Sequence, residues 1–437
     1  MIYVYPFLFP LLGITLYLLS ARARNTRTKG LDLGVIFASI LLAYGFVPSV
    51  GLLLAHQDVG QIMDYRLSMG FDVVDVEHVQ WMHLLLFIGF LLGYFSGGNK
   101  TATRLVDTVS IEAQRLVRPI VLMALSASLL PSLLALIWGN SAPNDYISSY
   151  TVLRGAPVLV QQIHGVLNQL QFSSLVAAVV VVIAAKPYRH SWVAFFLALN
   201  MIHASLSGGS RTVAFLAFLS YVVASSIFVR GFTLRRAVTY VFPALILFMI
   251  AGMLRDQNDD AGLLYLFQTG EFTALFINTI DLKERFAAGW GEEVRFAIYL
   301  VDVLRLIPSQ LIGGTKLDPA QWYSQTFYPE YSDAGGGFAF GVLSESAVGF
   351  GVPEAAIRGL ILGILFRYLR NYLMGDGATI AKIFTYVWLT AVCYQCYRDT
   401  TFSVAVRALY QVLPVILVMR LFRSRDSRPP SVRNSSI

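Results

Sequence analysis

Mainly apolar runs of about 17 residues or more recur along almost the whole chain, and no other feature limits its fold so strongly. A run of that length can cross the hydrocarbon of a bilayer as a helix. No water is present there to satisfy free backbone groups, so only helices and closed barrels can cross. Spans are expected at 2–20, 33–55, 81–97, 119–138, 158–185, 191–207, 213–229, 237–253, 352–369, 378–396 and 402–422. The 437 residues are 56% hydrophobic and 14% charged. Length therefore sets no domain count in the usual way, because a helical membrane bundle of this size can be one body. The expected fold is an all-α polytopic membrane protein with about eleven transmembrane helices.

Basic residues orient it, since connections rich in Lys and Arg stay on the cytoplasmic side. "ARARNTRTK", after the first span, is the strongest such signal. Alternate connections collect 21 of the 33 basic residues but only five of the 26 acids. The N-terminus is thus expected outside and the C-terminus inside, with residues 423–437 a basic cytoplasmic tail. The net charge of +7 is a topology signal on this reading, and nucleic acid is not an expected partner. No basic residue precedes the first apolar run, so a cleavable signal peptide is not expected. The chain divides into an N-terminal bundle at 1–253, a large outer segment at 254–351, and C-terminal spans at 352–422.

A connection of nearly a hundred residues is far longer than usual and points to function. Within it, "LLYLFQTGEFTALFINTI" and "EEVRFAIYLVDVLRLIPSQLI" carry helical apolar spacing. "YSDAGGGFAFGVLSESAVGFG" reads as a turn followed by a short helix that re-enters the membrane or lies along it. A second outer segment, 56–80, alternates acids with apolar residues.

Twelve basic residues fall on the outer side, where topology disfavours them, and ten are arginine. Guanidinium binds phosphate bidentately, whereas ammonium acts as a point charge. Arg211, Arg255, Arg398 and Arg407 sit at outer ends of expected spans. Arg211 follows Gly208 and Gly209 in "SLSGGSRTVA"; the glycines allow close approach of a ligand, and the first N–H groups of the following helix favour an anion. Arg154, Arg255, Arg295 and Lys316, with Tyr323 and Tyr397, are candidate contacts to a diphosphate or a glycan. The alternative is that the arginines pair with the outer acids. For "CYRDTTFSVAVR" it is a local cap formed by Arg398 and Asp399, with Arg407 reaching to the interface.

Candidate proton acceptors are Glu345, Asp399 and His203, with Asp333 and Asp145 further off. Glu345 is a lone carboxylate in an apolar helix rich in small residues, where burial favours the protonated form and suits a general base. His203 equally suits ordinary packing. No HExxH, P-loop, Gly-x-Ser-x-Gly or dinucleotide fingerprint is present. Asp259-Asp260 reads as a solvated acidic loop. Cys393 and Cys396, on one face of an expected apolar helix, lack a second pair or a ligand histidine and read as packing residues.

"SGGSRT" opening a span, then "RLIPSQLIGG", "AGGGFAFGVLSESAVGFG" and a late "CYRDTTFSVAVR" together resemble the Wzy-type oligosaccharide repeat-unit polymerases, which build O-antigen, enterobacterial common antigen and capsule chains. The resemblance covers about residues 200–410 and is one of order and character. It implies a multi-pass enzyme of the bacterial inner membrane, GT-C-like, with a large, mainly helical periplasmic loop and arginines important there. The implied substrate is an undecaprenyl-diphosphate-linked oligosaccharide held in membrane lipid, joined without metal or other cofactor. A flippase and a chain-length regulator are implied partners. Arg211 matches the glycine-arginine element, and Arg398 and Arg407 match the late periplasmic arginines. Two other classes fit much of the same pattern. A polysaccharide ligase would make a single transfer, whereas a polymerase makes a ladder. A flippase or transporter would bury its charges mid-membrane.

Overall fold

The computed structural model describes residues 5, 8, 11–16, 32–57, 73–97, 106–138, 157–185, 211–229, 271–307, 317–333, 337–375 and 377–425. Their helices are α1 (Leu33–Gln57), α2 (Val73–Phe95), α3 (Val106–Trp138), α4 (Val158–Ala185), α5 (Arg211–Phe228), α6 (Glu271–Ala287), α7 (Ala297–Leu306), α8 (Pro319–Phe327), α9 (Pro329–Asp333), α10 (Val342–Val348), α11 (Val352–Met374), α12 (Ile380–Val392), α13 (Gln395–Arg398) and α14 (Ser403–Arg425). A 3₁₀ turn occupies Glu292–Val294. No strand occurs among the described residues. Five helices there are long and apolar enough to cross a bilayer: Leu33–Gly51, Val74–Phe95, Val109–Pro131, Ile163–Ala185 and Ser403–Arg423. The chain is a helical, multi-pass membrane protein.

Expected spans at 33–55, 158–185 and 402–422 coincide with α1, α4 and α14, which are among those five, and the stretches expected at 213–229 and 352–369 are helical, in α5 and α11. Those at 81–97 and 119–138 begin earlier, in α2 and α3, because polar residues extend both helices. The span at 378–396 is corrected: α12 ends at Val392, a turn carries Cys393, and α13 starts afresh at Gln395. The cysteines therefore do not share one helix face; both are buried. Residues 191–207 and 237–253 lie outside the described residues.

Two compact units form. The first takes Met1–Lys100, Leu234–Tyr372 and Val392–Val406. Its frame is α1, α2 and α11. Gly89 and Gly93 of α2 meet Gly359 and Gly363 of α11 so closely that a Cβ at any of the four would strike backbone of the opposite helix. Small residues four apart let two membrane helices approach to backbone contact. Phe37 of α1 wedges against Phe90 and Phe366, with ring centroids at 4.8 and 5.0 Å. Asp32 caps α1 by accepting from Gly34 N at 3.1 Å. The same carboxylate accepts from Tyr94 of α2 and pairs with Arg370 of α11. Asp32 and Arg370 are 0% and 1% exposed.

The outer segment expected at 254–351 contributes α6, which lies along α1 and α2. Phe272 meets Tyr44, midway along α1, edge to face with ring centroids at 4.6 Å, and Lys283 pairs with Asp75 in the first turn of α2. Thr273, Ile277, Asn278 and Ile280 are buried. This helix is thus packed among membrane spans, an arrangement its modest apolarity hides. Beside it, Asp318 caps α8 by accepting from Ala320 N and Gln321 N, and Pro319 holds the first helical position. Asp281 accepts from Tyr323 at 2.6 Å, from Tyr328 at 2.8 Å and from Arg285 at 3.0 Å. Arg285 also lies over the Phe327 ring at 4.4 Å.

The second unit takes Thr101–Thr233, Leu373–Ala391 and Arg407–Ile437. In it α4 packs on α3 and on α5. Every residue of α4 from Leu175 to Ala185 is buried, as expected of a helix that is apolar all round. Trp388 donates to Gln411 at 3.0 Å, and Gln411 donates to Gln169 at 2.9 Å, a polar chain of the kind that joins helices in a membrane.

Candidate active site

The site grows from the glycine-rich stretch. Gly341 lies against the carbonyl oxygen of Tyr397, with no room for a side chain. That contact sets α10 against the turn after α13. Six of the seven residues of α10 are buried, so the expected short helix is inserted into its unit. The α6 side is fixed by Asn278, which donates to Ala339 O at 2.8 Å, and by Thr279, 3.1 Å from Ser344 Oγ.

Glu345, 2% exposed, therefore points into protein, where three donors converge on its Oε2. Arg358 donates from 2.6 Å, Thr401 N from 3.0 Å, and Thr401 Oγ1 completes the set. Arg358 turns its Nε to Glu354 at 2.7 Å, so one guanidinium serves two carboxylates. Glu354 also accepts from Tyr299 at 2.8 Å and from Phe350 N at 2.7 Å. Burial first, then the hydrogen bond to Glu354, pushes the Tyr299 hydroxyl up to about 12. Charge-assisted bonds of this kind are short and strong. A buried charge without them is costly.

This corrects the reading of Glu345 as a lone carboxylate. Its partner Arg358 is one of the ten arginines expected on the outer side. The available signal was Glu354 four positions before Arg358 on one helix, a spacing that brings side chains together. Thr401 carried no signal of its own beyond its place in "RDTT".

Several expected site residues gather around α10. Arg295 donates to Val348 O at 3.1 Å and pairs with Glu292 at 2.9 Å, so it holds the end of α10. Tyr397 is buried, its ring 4.5 Å from Tyr44 and 5.7 Å from His83. His83 in turn hydrogen-bonds Tyr5 at 2.9 Å. Arg398 ends α13, and Asp399 accepts from Thr400 N at 2.9 Å, two residues before Thr401. Tyr323 is 0% exposed and its hydroxyl is given to Asp281. It packs in the core beside α6.

The remaining expected residues lie in the second unit or outside the described residues. Arg211 begins α5, as expected of a residue opening a span, and belongs to the second unit. Arg407 lies in α14 and also belongs to the second unit. Arg154, His203, Arg255 and Lys316 lie outside the described residues.

No protein-family profile, no curated protein and no solved structure matches the chain.

Proposed function

We propose that the chain polymerises oligosaccharide repeat units carried on undecaprenyl diphosphate, at the periplasmic face of a bacterial inner membrane, with eleven spans and its N-terminus outside. A hydroxyl oxygen of the incoming lipid-linked unit attacks the anomeric carbon of the growing chain. The bond from that carbon to the diphosphate breaks, and undecaprenyl diphosphate leaves with the electron pair. Glu345, oriented by Thr401 and Arg358, accepts the hydroxyl proton, with Asp399 and His203 as alternatives. Arg211, Arg398 and Arg407, with Arg255, stabilise the charge that grows on the departing diphosphate, which fixed guanidinium groups do better in the transition state than before it. The transfer needs no metal or other cofactor.

One observation carries this reading. The stretches "AGGGFAFGVLSESAVGFG" and "CYRDTTFSVAVR", which bear the resemblance, meet at Gly341–Tyr397 and Glu345–Thr401. Two distant segments thus join in a buried acid–arginine group, the kind of group that marks functional sites in membrane proteins.

Replacing Arg211 by Ala in cells lacking the native gene tests it. The variant is expected to reach the membrane yet give no ladder of chain lengths. A normal ladder overturns the assignment of Arg211. Capping by one unit only, with wild type and variant alike, identifies a ligase.

A transporter of lipid-linked oligosaccharide is the alternative reading of the same arginine pattern. It predicts movement of the repeat unit across vesicle membranes with no new glycosidic bond.

A further inference from the structure

Gln80 of α2 is 0% exposed, and among the described residues neither its amide oxygen nor its amide nitrogen has a hydrogen-bond partner. Leaving both polar atoms of a buried carboxamide unmet destabilises a fold, and such groups in native proteins call for a cause. Its height is fixed by two neighbours on the same helix. His78 lies against Gly351, just past α10. His83 lies against Tyr397, whose carbonyl abuts Gly341 at the start of α10. Gln80 falls between those levels on α2, and Glu345 falls between the same levels on α10. Gln80 also precedes His83 by three positions, which places the two on neighbouring parts of one helix surface.

Ser403 adds an independent observation. It is buried, and its Oγ likewise has no partner among the described residues. Its backbone N–H is given to Thr400 O at 3.0 Å, two positions beyond the threonine that holds Glu345. Polar atoms thus remain unmet on two elements of the unit that holds this carboxylate. A carboxamide offers a donor and an acceptor, a serine hydroxyl offers both, and a carboxylate accepts. That set matches a sugar hydroxyl, which must donate one hydrogen bond and can accept others.

We propose that Gln80 and Ser403 bind the reacting hydroxyl of the acceptor sugar and hold it toward Glu345. This rests on the polymerase reading and names substrate-binding residues for it. Gln80 receives from the hydroxyl or donates to it, Ser403 does the same, and the proton goes to the carboxylate.

The test uses Gln80→Met, which keeps the side chain's length and removes its polarity, with Ser403→Ala as a second variant. Thermal unfolding of the purified full chain in detergent is compared with chain-length ladders in cells, and with binding of the host's own lipid-linked repeat unit. Unmet buried groups replaced by apolar ones are expected to leave stability unchanged or raised. Polymer formation and binding are expected to fall about tenfold or more, the effect of about one hydrogen bond. Stability raised with unaltered ladder and binding overturns the proposal, as does stability lowered in both variants, since the groups then hold structure. Wild type that binds the unit but makes no polymer rejects the polymerase reading, while the binding loss in Gln80→Met still decides the role of Gln80.

Discussion

Thr401 gives both its backbone N–H and its hydroxyl to one oxygen of Glu345, 56 positions away in the chain. The contact ties the turn before α14 to α10, and it orients the carboxylate that the proposed chemistry uses. Thr401→Val keeps shape and the backbone N–H but loses the hydroxyl. The variant is expected to be less stable by about 1.5–3 kcal/mol, as for a hydrogen bond to a charged group, and Thr401→Ser is expected to recover most of it. Unfolding midpoints in detergent report this, and a Thr401→Val midpoint equal to wild type contradicts the described geometry.

Arg370 and Asp32 join α11 to α1 with almost no solvent around them. Removing either partner leaves a buried charge and is expected to cost about 3–5 kcal/mol. Replacing both, as Asp32→Leu with Arg370→Met, is expected to cost much less than the sum. Folded yield and unfolding of the two single variants and the double close the cycle. Strict additivity counts against the pair.

Gly359 faces the backbone of Leu86 without space for a methyl group. Gly359→Leu must push α2 and α11 apart, at a cost of about 1–3 kcal/mol or more. Gly165, where an added Cβ meets nothing, is the control: Gly165→Ala is expected to keep full yield. Comparison of monodisperse protein after extraction separates the two.

Tyr328 titrates in the alkaline range, its hydroxyl pushed from 10.0 up to about 12 by burial and then by the charge of Asp281. A pKa raised on folding means that the folded chain holds the proton more tightly. Its contribution to stability is therefore complete below about pH 10 and is lost as pH rises through about 12. Wild type is expected to lose more stability over that window than Tyr328→Phe, which has no proton to release. Identical alkaline profiles refute it.

Much of the frame was legible because apolar length fixes a span: α1, α4 and α14 follow directly from their runs. The break at Cys393 was not, since turn and helix there are equally apolar. Nor was the position of α6, whose Asn278 is met by Ala339 O and whose Asp281 is met by Tyr323 and Tyr328, 42 to 61 positions away. Glu345 was recognisable as a buried acid, but not the company it keeps. Arg358 lies 13 positions on and Thr401 lies 56 positions on, and only the folded chain brings them to one oxygen. The glycines of α2 and α11 did carry a readable signal, the four-residue spacing in "GFLLG" and "GLILG".

The central claim is bond formation between lipid-linked glycans at the Glu345 group, and purified chain in lipid nanodiscs, supplied only with the host's lipid-linked repeat unit, tests it most directly. Wild type is expected to convert that unit into a ladder of longer lipid-linked chains with release of undecaprenyl diphosphate, and Glu345→Gln to form none while still folding. Unchanged repeat unit with wild type, or a ladder of equal yield with Glu345→Gln, contradicts it.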